Sequence, residues 1–97
     1  MSAVAVTVVL PGALRQYCGG ESTIEVQLAD GGCVADLLDA VADSHPALVR
    51  RLRDEQGSLR RFVNVYVDGE DVRLTGAESC SVPAGAEVLV LPSVAGG

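Results

Sequence analysis

Lysine is missing from all 97 positions, and the seven basic residues are all arginine. Without an ε-amine the chain has no group for a Schiff base, for the lysine of a P-loop or for an isopeptide bond to itself; only the N-terminal amine could be acylated. Tryptophan is absent too, and the aromatic residues are Tyr17, Phe62 and Tyr66 alone, so a core has to be assembled from Val, Leu, Ala and Ile. The one histidine, His45, precedes Pro46 at an expected helix end. That placement makes it a cap or surface residue and leaves no base for a hydrolytic triad, and no serine sits in a G-x-S-x-G elbow. Cys18, Cys33 and Cys80 are odd in number and widely spaced. They fit neither a disulfide framework, a paired C-x-x-C metal site nor a four-thiolate iron–sulfur centre, and are read as reduced, mostly structural thiols, with Cys18 a free loop thiol. No apolar run reaches the roughly 18 residues a bilayer span needs, and no charged n-region precedes an apolar stretch. A cytoplasmic protein without membrane contact is expected.

What is present is acidic. Thirteen carboxylates against seven arginines give a net charge of −6 and a pI near 4.5, the wrong sign for a nucleic-acid partner. The only basic cluster is the set of five arginines between Arg50 and Arg61. Asp36 with Asp39, and Asp68 with Glu70 and Asp71, fall at helix and turn positions rather than as an acid/base pair. Gly31-Gly32 before a helix has the look of a phosphate-binding turn, but it lacks G-x-G-x-x-G and Asp30 would repel the anion. A chain of this length makes one domain, too small for a deep enclosed active site.

The hydrophobic pattern changes period along the chain. Val4, Val6 and Val8 alternate with Ala5, Thr7 and Val9, and after Pro11-Gly12 and a loop through Gly20, Ile24, Val26 and Leu28 alternate with Thr23, Glu25 and Gln27. These predict an antiparallel hairpin. Val34, Leu37, Leu38 and Val41 then fall on one helical face, closed at Ser44-His45-Pro46. Pro46 starts a second, shorter helix with Leu48, Val49 and Leu52 inward and Arg50, Arg51 and Arg53 in solvent. Phe62 to Val67 is the clearest strand, Asp68-Gly69 its turn, and Asp71 to Leu74 a short strand. Pro83 to Ala86 turns the chain into a last strand, Glu87 to Leu91, stopped by Pro92. The order requires an α+β domain, a mixed sheet of about five strands wrapped around one main helix, with the first and last strands parallel at its centre.

Arg61-Phe62-Val63-Asn64-Val65-Tyr66-Val67-Asp68-Gly69-Glu70-Asp71-Val72-Arg73, with Gly85-Ala86-Glu87-Val88, the helical Val34-x-x-Leu37-Leu38-x-x-Val41 and the ending Leu91-Pro92-Ser93-Val94-Ala95-Gly96-Gly97, resembles the MoaD/ThiS sulfur-carrier family, and within it the actinobacterial CysO-type carriers. The likeness covers essentially the whole chain. It implies a ubiquitin-like β-grasp domain over residues 1–91 and an exposed, flexible Gly-Gly tail over 92–97. It implies a carrier rather than an enzyme: the Gly97 carboxylate is adenylated by a ubiquitin-activating-type adenylyltransferase/sulfurtransferase that consumes ATP, then becomes a thiocarboxylate. No cofactor or metal is bound. Further implied partners are a sulfur-accepting synthase, acting in CysO-like systems on an activated serine, and a metalloprotease that releases product or processes the tail. Cys33 stands where many members carry a capping threonine or serine, which shifts the expected cap to Gly32 or a neighbour.

Val94, Ala95, Gly96 and Gly97 are expected to thread a narrow partner channel, glycine leaving the terminal carbonyl open to attack. Docking is expected on the sheet face away from the helix, at Thr7, Val9, Tyr66, Leu89 and Leu91. Molybdopterin, thiazole and thiolated natural products such as thiosugars are alternative fates for the sulfur. A ubiquitin-like protein modifier is the rival of another class, and a β-grasp binding module with an inert tail a second.

Overall fold

The structure is a computed structural model that describes residues 3–92. Its first strand, β1 (Ala3–Val9), buries Val6 and Val8 and leaves Thr7 and Val9 half-buried. β2 (Thr23–Ala29) carries the same alternation with polar partners: Ile24, Val26 and Leu28 are buried, Thr23, Glu25 and Gln27 exposed. The two pair antiparallel with Val6 opposite Val26. β3 (Val63–Val67), β4 (Glu70–Asp71) and β5 (Glu87–Pro92) complete a five-stranded sheet of order β2-β1-β5-β3-β4. Parallel pairing occurs at its centre, between β1 and β5, and the other pairs are antiparallel.

One face of this sheet is closed by α2 (Val34–Ser44), whose buried residues are Val34, Leu37, Leu38 and Val41. α3 (Pro46–Leu52) adds Leu48, Val49 and Leu52. Strand valines and helix leucines thereby bury each other in one core, to which Val8, Val65, Val88 and Val90 contribute from the sheet. Each such side chain removed from water contributes about 1.5–3 kcal/mol. No polar or charged residue is buried among the described residues, so the core carries no chemistry. A mixed sheet grasping one main helix is the β-grasp plan, as expected from the sequence.

Several local expectations need correction. The loop after Pro11 contains α1 (Gly12–Arg15), continued as a 3-10 turn over Gln16–Cys18, because Leu14 and Cys18 reach the core. Cys18 is accordingly buried, its thiol near the Arg15 and Glu21 carbonyls at 3.4 and 3.3 Å. Asp71 to Leu74 is not a strand. Only Glu70–Asp71 pairs, and Val72–Leu74 is a 3-10 turn started by the Asp71 carboxylate, which accepts the Arg73 N–H at 2.9 Å. Phe62 lies outside β3 and is exposed. Pro92 does not stop the last strand but ends it from within, opposite Val63. Arg53 is not in solvent: its side chain is 14% exposed, donating to Asp39 at 2.6 Å and to the Ala35 carbonyl at 2.9 Å. The cap of α2 is built on Cys33 itself, whose N–H and thiol both donate to the Asp36 carboxylate, at 3.0 and 3.3 Å.

Candidate functional site

β5 is the element that positions the site, because it lies in the middle of the sheet and runs directly into the C-terminal segment. The tail residues singled out in the sequence, Val94, Ala95, Gly96 and Gly97, lie outside the described residues. What the structure does place is the surface from which they depart.

Side chains alternate along a strand, so residues paired across neighbouring strands share a face. Val9 pairs with Thr23 and Leu89, Leu89 with Tyr66, and Tyr66 with Asp71. This row crosses all five strands on the side away from α2. Thr7 lies beside Glu25 and Glu87 on the same face, and Leu91 beside Asn64. All five residues expected there, Thr7, Val9, Tyr66, Leu89 and Leu91, are therefore brought to one face. Each is half-buried, flanked by neighbours but uncovered by a helix. Val9, Leu89 and Tyr66 form its apolar strip, and Leu91 extends it one row toward Pro92.

Two parts of the surroundings escaped the sequence reading. Asn64 faces Leu91, and its Oδ1 accepts from Arg73 Nη1 at 2.5 Å. Arg73 Nη2 also donates to the Val63 carbonyl at 2.6 Å and the Arg61 carbonyl at 3.1 Å, tying down the start of β3 where it meets Pro92. The alternation from Tyr66 to Asn64 could have revealed the first; nothing in the sequence reveals the second. The other part is a groove of about 370 Å³ at the tail root, lined by Tyr17, Arg50, Arg51, Arg60, Phe62 and Pro92 among others.

The described residues hold no group of three or more His, Cys, Asp or Glu side chains placed to bind a metal. His45 caps the junction of α2 and α3, its Nδ1 2.9 Å from Ser44 Oγ. Gly32 offers no free amide for a phosphate turn: its N–H donates to the Ala29 carbonyl at 2.9 Å, and its carbonyl accepts the Val82 N–H at 2.9 Å. The Asp36 carboxyl is held below the ordinary range by the Cys33 N–H and then the Cys33 thiol, at the start of α2. Among the described residues no helix is long and apolar enough to cross a membrane. Among the described residues the geometry thus offers a sheet face with an apolar strip beside the end of β5, and no catalytic constellation.

Comparison with known proteins meets this geometry. Residues 8–97 match the model of the ThiS family. The sulfur carrier protein CysO of Mycobacterium tuberculosis is 36% identical over 94 residues, covering 95% of this chain and 98% of the relative. CysO in a crystal structure of the Amycolatopsis orientalis BexX/CysO complex is 41% identical, with a TM-score of 0.83 over 95% of this chain and 99% of the other. Small archaeal modifier protein 1 of Haloferax volcanii is 36% identical over 78 residues, 80% of this chain and 85% of that one. With a family match running from the second half of β1 to the final glycine, this chain belongs to the ThiS family of β-grasp sulfur carriers, proteins that serve as co-substrates and bind no cofactor of their own.

Proposed function

We propose that the Gly97 carboxylate is the reacting group and that the open sheet face delivers it to the enzymes that act on it. A carboxylate resists attack because its oxygen is a poor leaving group. In the proposed cycle it attacks the α-phosphorus of ATP on an adenylating enzyme and expels pyrophosphate; a sulfide-level nucleophile then adds to the acyl-adenylate and AMP leaves. The product is a thiocarboxylate, whose sulfur displaces the leaving group of an activated serine on an acceptor synthase to give a cysteine still joined to the Gly97 carbonyl, from which hydrolysis releases it. A metalloprotease that frees the product from the tail completes the set of partners. Val94, Ala95 and Gly96 supply the slim approach to the channel. The observation carrying this reading is the continuity of the Val9–Leu89–Tyr66 strip with β5 and hence with the tail. The likeness to CysO proteins supports the cysteine branch, and the related carrier bound to BexX supports docking on a partner.

The modifier reading is favoured by one observation, the 36% identity to small archaeal modifier protein 1. Intact-mass spectrometry after incubation with ATP, an activating enzyme and sulfide separates the two. A gain of about 16 Da, oxygen replaced by sulfur at the activated acyl group, is expected on the full chain and lost on deletion of Gly96-Gly97. Isopeptide-linked adducts in a lysate, without the thiocarboxylate, would replace the carrier reading by the modifier.

A further inference from the structure

Positive charge is scarce on this molecule, and where it stands unneutralised is informative. Among the described residues the single ion pair is Arg53 with Asp39. Arg50, Arg51 and Arg60, like Arg15, Arg61 and Arg73, therefore have no carboxylate within ion-pair distance among those residues, although the chain carries nearly two acidic groups for each basic one; what sets the three apart is that they gather in one place. All three line the groove at the tail root, with Tyr17, Phe62 and Pro92. Arg51 and Arg60 are held rather than splayed, while the Arg50 side chain is exposed beside them. The Arg51 guanidinium lies over the Tyr17 ring, 4.7 Å from its centroid, and Arg60 Nε and Nη2 donate to the Arg50 carbonyl at 3.3 and 3.2 Å. A guanidinium fixed in plane keeps its remaining N–H edges free for a carboxylate, which it binds through two parallel hydrogen bonds.

We propose that this groove receives an acidic segment of the enzyme that activates the tail, a second contact on the opposite side of β5 from the apolar strip. It rests on the reading of Gly97 as the activated group. Three features select the occupant. Pro92 is part of the groove wall, so an enzyme enclosing the following residues meets the arginines at the mouth of its channel. The lining mixes guanidinium with Phe62 and Pro92, which suits carboxylates interspersed with apolar side chains. A nucleotide fits less well, because Arg51 already occupies the ring face of Tyr17 on which a base would stack, and a net charge of −6 repels a nucleic acid. On a protein otherwise negative, a confined positive patch also orients the encounter so that the tail end arrives first.

The test compares rates of thiocarboxylate formation by the activating enzyme, with Mg·ATP and sulfide, for wild type, R50E/R51E and R50K/R51K at low and high salt. For R50E/R51E we expect KM to rise about tenfold or more at low salt, converging on wild type at high salt, with kcat at saturation within about twofold. R50K/R51K, which keeps the charge but loses the fork, falls between. Thermal unfolding checks the fold; should loss of the Tyr17 contact unsettle it, R50E alone replaces the double variant, since no side-chain hydrogen bond of Arg50 occurs among the described residues. A wild-type KM and salt slope in the charge-reversed protein overturns the proposal, as does submillimolar Mg·ATP shifting the Tyr17 and Phe62 NMR signals of the free carrier. A wild-type chain that never gains sulfur is a separate result: it removes the Gly97 reading itself and this inference with it.

Discussion

Asp36 stands in full solvent, yet it organises the start of α2. Its carboxylate accepts the Cys33 N–H, one of the amides left without an intrahelical partner, and the Cys33 thiol, while its charge complements the positive end of the helix dipole. Both hydrogen bonds favour the ionised form, the backbone one more strongly, so its pKa in the folded protein falls below 3.8. The sign follows directly. The depressed carboxyl stabilises the fold at any pH above its unfolded pKa, and that contribution disappears as pH drops through the folded value. Asp36→Asn should lower the urea midpoint at pH 7, and the gap to wild type should narrow below about pH 4 and close in stronger acid. A gap independent of pH would mean the loss comes from packing and not from charge. The sequence reading placed Asp36 correctly in the first turn but assigned the cap elsewhere, because cysteine ranks low as a capping residue; here the aspartate does the accepting and Cys33 the donating.

Elements whose pattern is long enough to repeat were legible. β2 alternates apolar with polar residues, α2 repeats at three and four, and both were located with the right inward face. β1 and β5, apolar but for Thr7 and Glu87, were harder, since periodicity alone hardly orients them. Short pieces were lost: α1 is four residues and the turn at Val72 three, each held by one buried side chain and a local carbonyl rather than by a repeat. The β2–α2 connection is a case where space, not pattern, decides the residue. A Cβ on Gly32 would meet Leu28 Cγ at 2.9 Å and the Ala29 carbonyl oxygen at 3.0 Å. That carbonyl is already fixed by accepting the Gly32 N–H at 2.9 Å, and Leu28 is in the core. Gly32→Ala should therefore cost about 1–3 kcal/mol as an overpacking substitution, seen as a melting temperature lower by about 4–8 °C for each kcal/mol. An unchanged melting temperature would show that the turn yields at little expense.

At the scale of the molecule, the core and the proposed docking surface lie on opposite faces of the same strands, and β5 contributes to both. That Thr7, Val9, Tyr66, Leu89 and Leu91 share a face was legible because it needs only parity, whereas the arginine groove was not: it joins α1, α3 and β3 with Pro92, and nothing in the sequence tells Arg50, Arg51 and Arg60, which line it, from Arg53, which turns back onto α2. The division of labour makes adjacent residues behave differently. Val88 is 1% exposed and packs in the core, so Val88→Ala should lower stability by about 2–3 kcal/mol and, while the protein stays folded, leave the KM for activation near the wild-type value. Leu89 is half-buried on the open face between Val9 and Tyr66. Leu89→Ala should cost at most about 1 kcal/mol of stability yet raise KM roughly tenfold, the effect of truncating a central contact residue. Urea unfolding and thiocarboxylate kinetics on the same two preparations decide the matter. Were both substitutions to act on stability alone, the partner would have to approach from elsewhere, and β5 would present the tail without presenting a surface beside it.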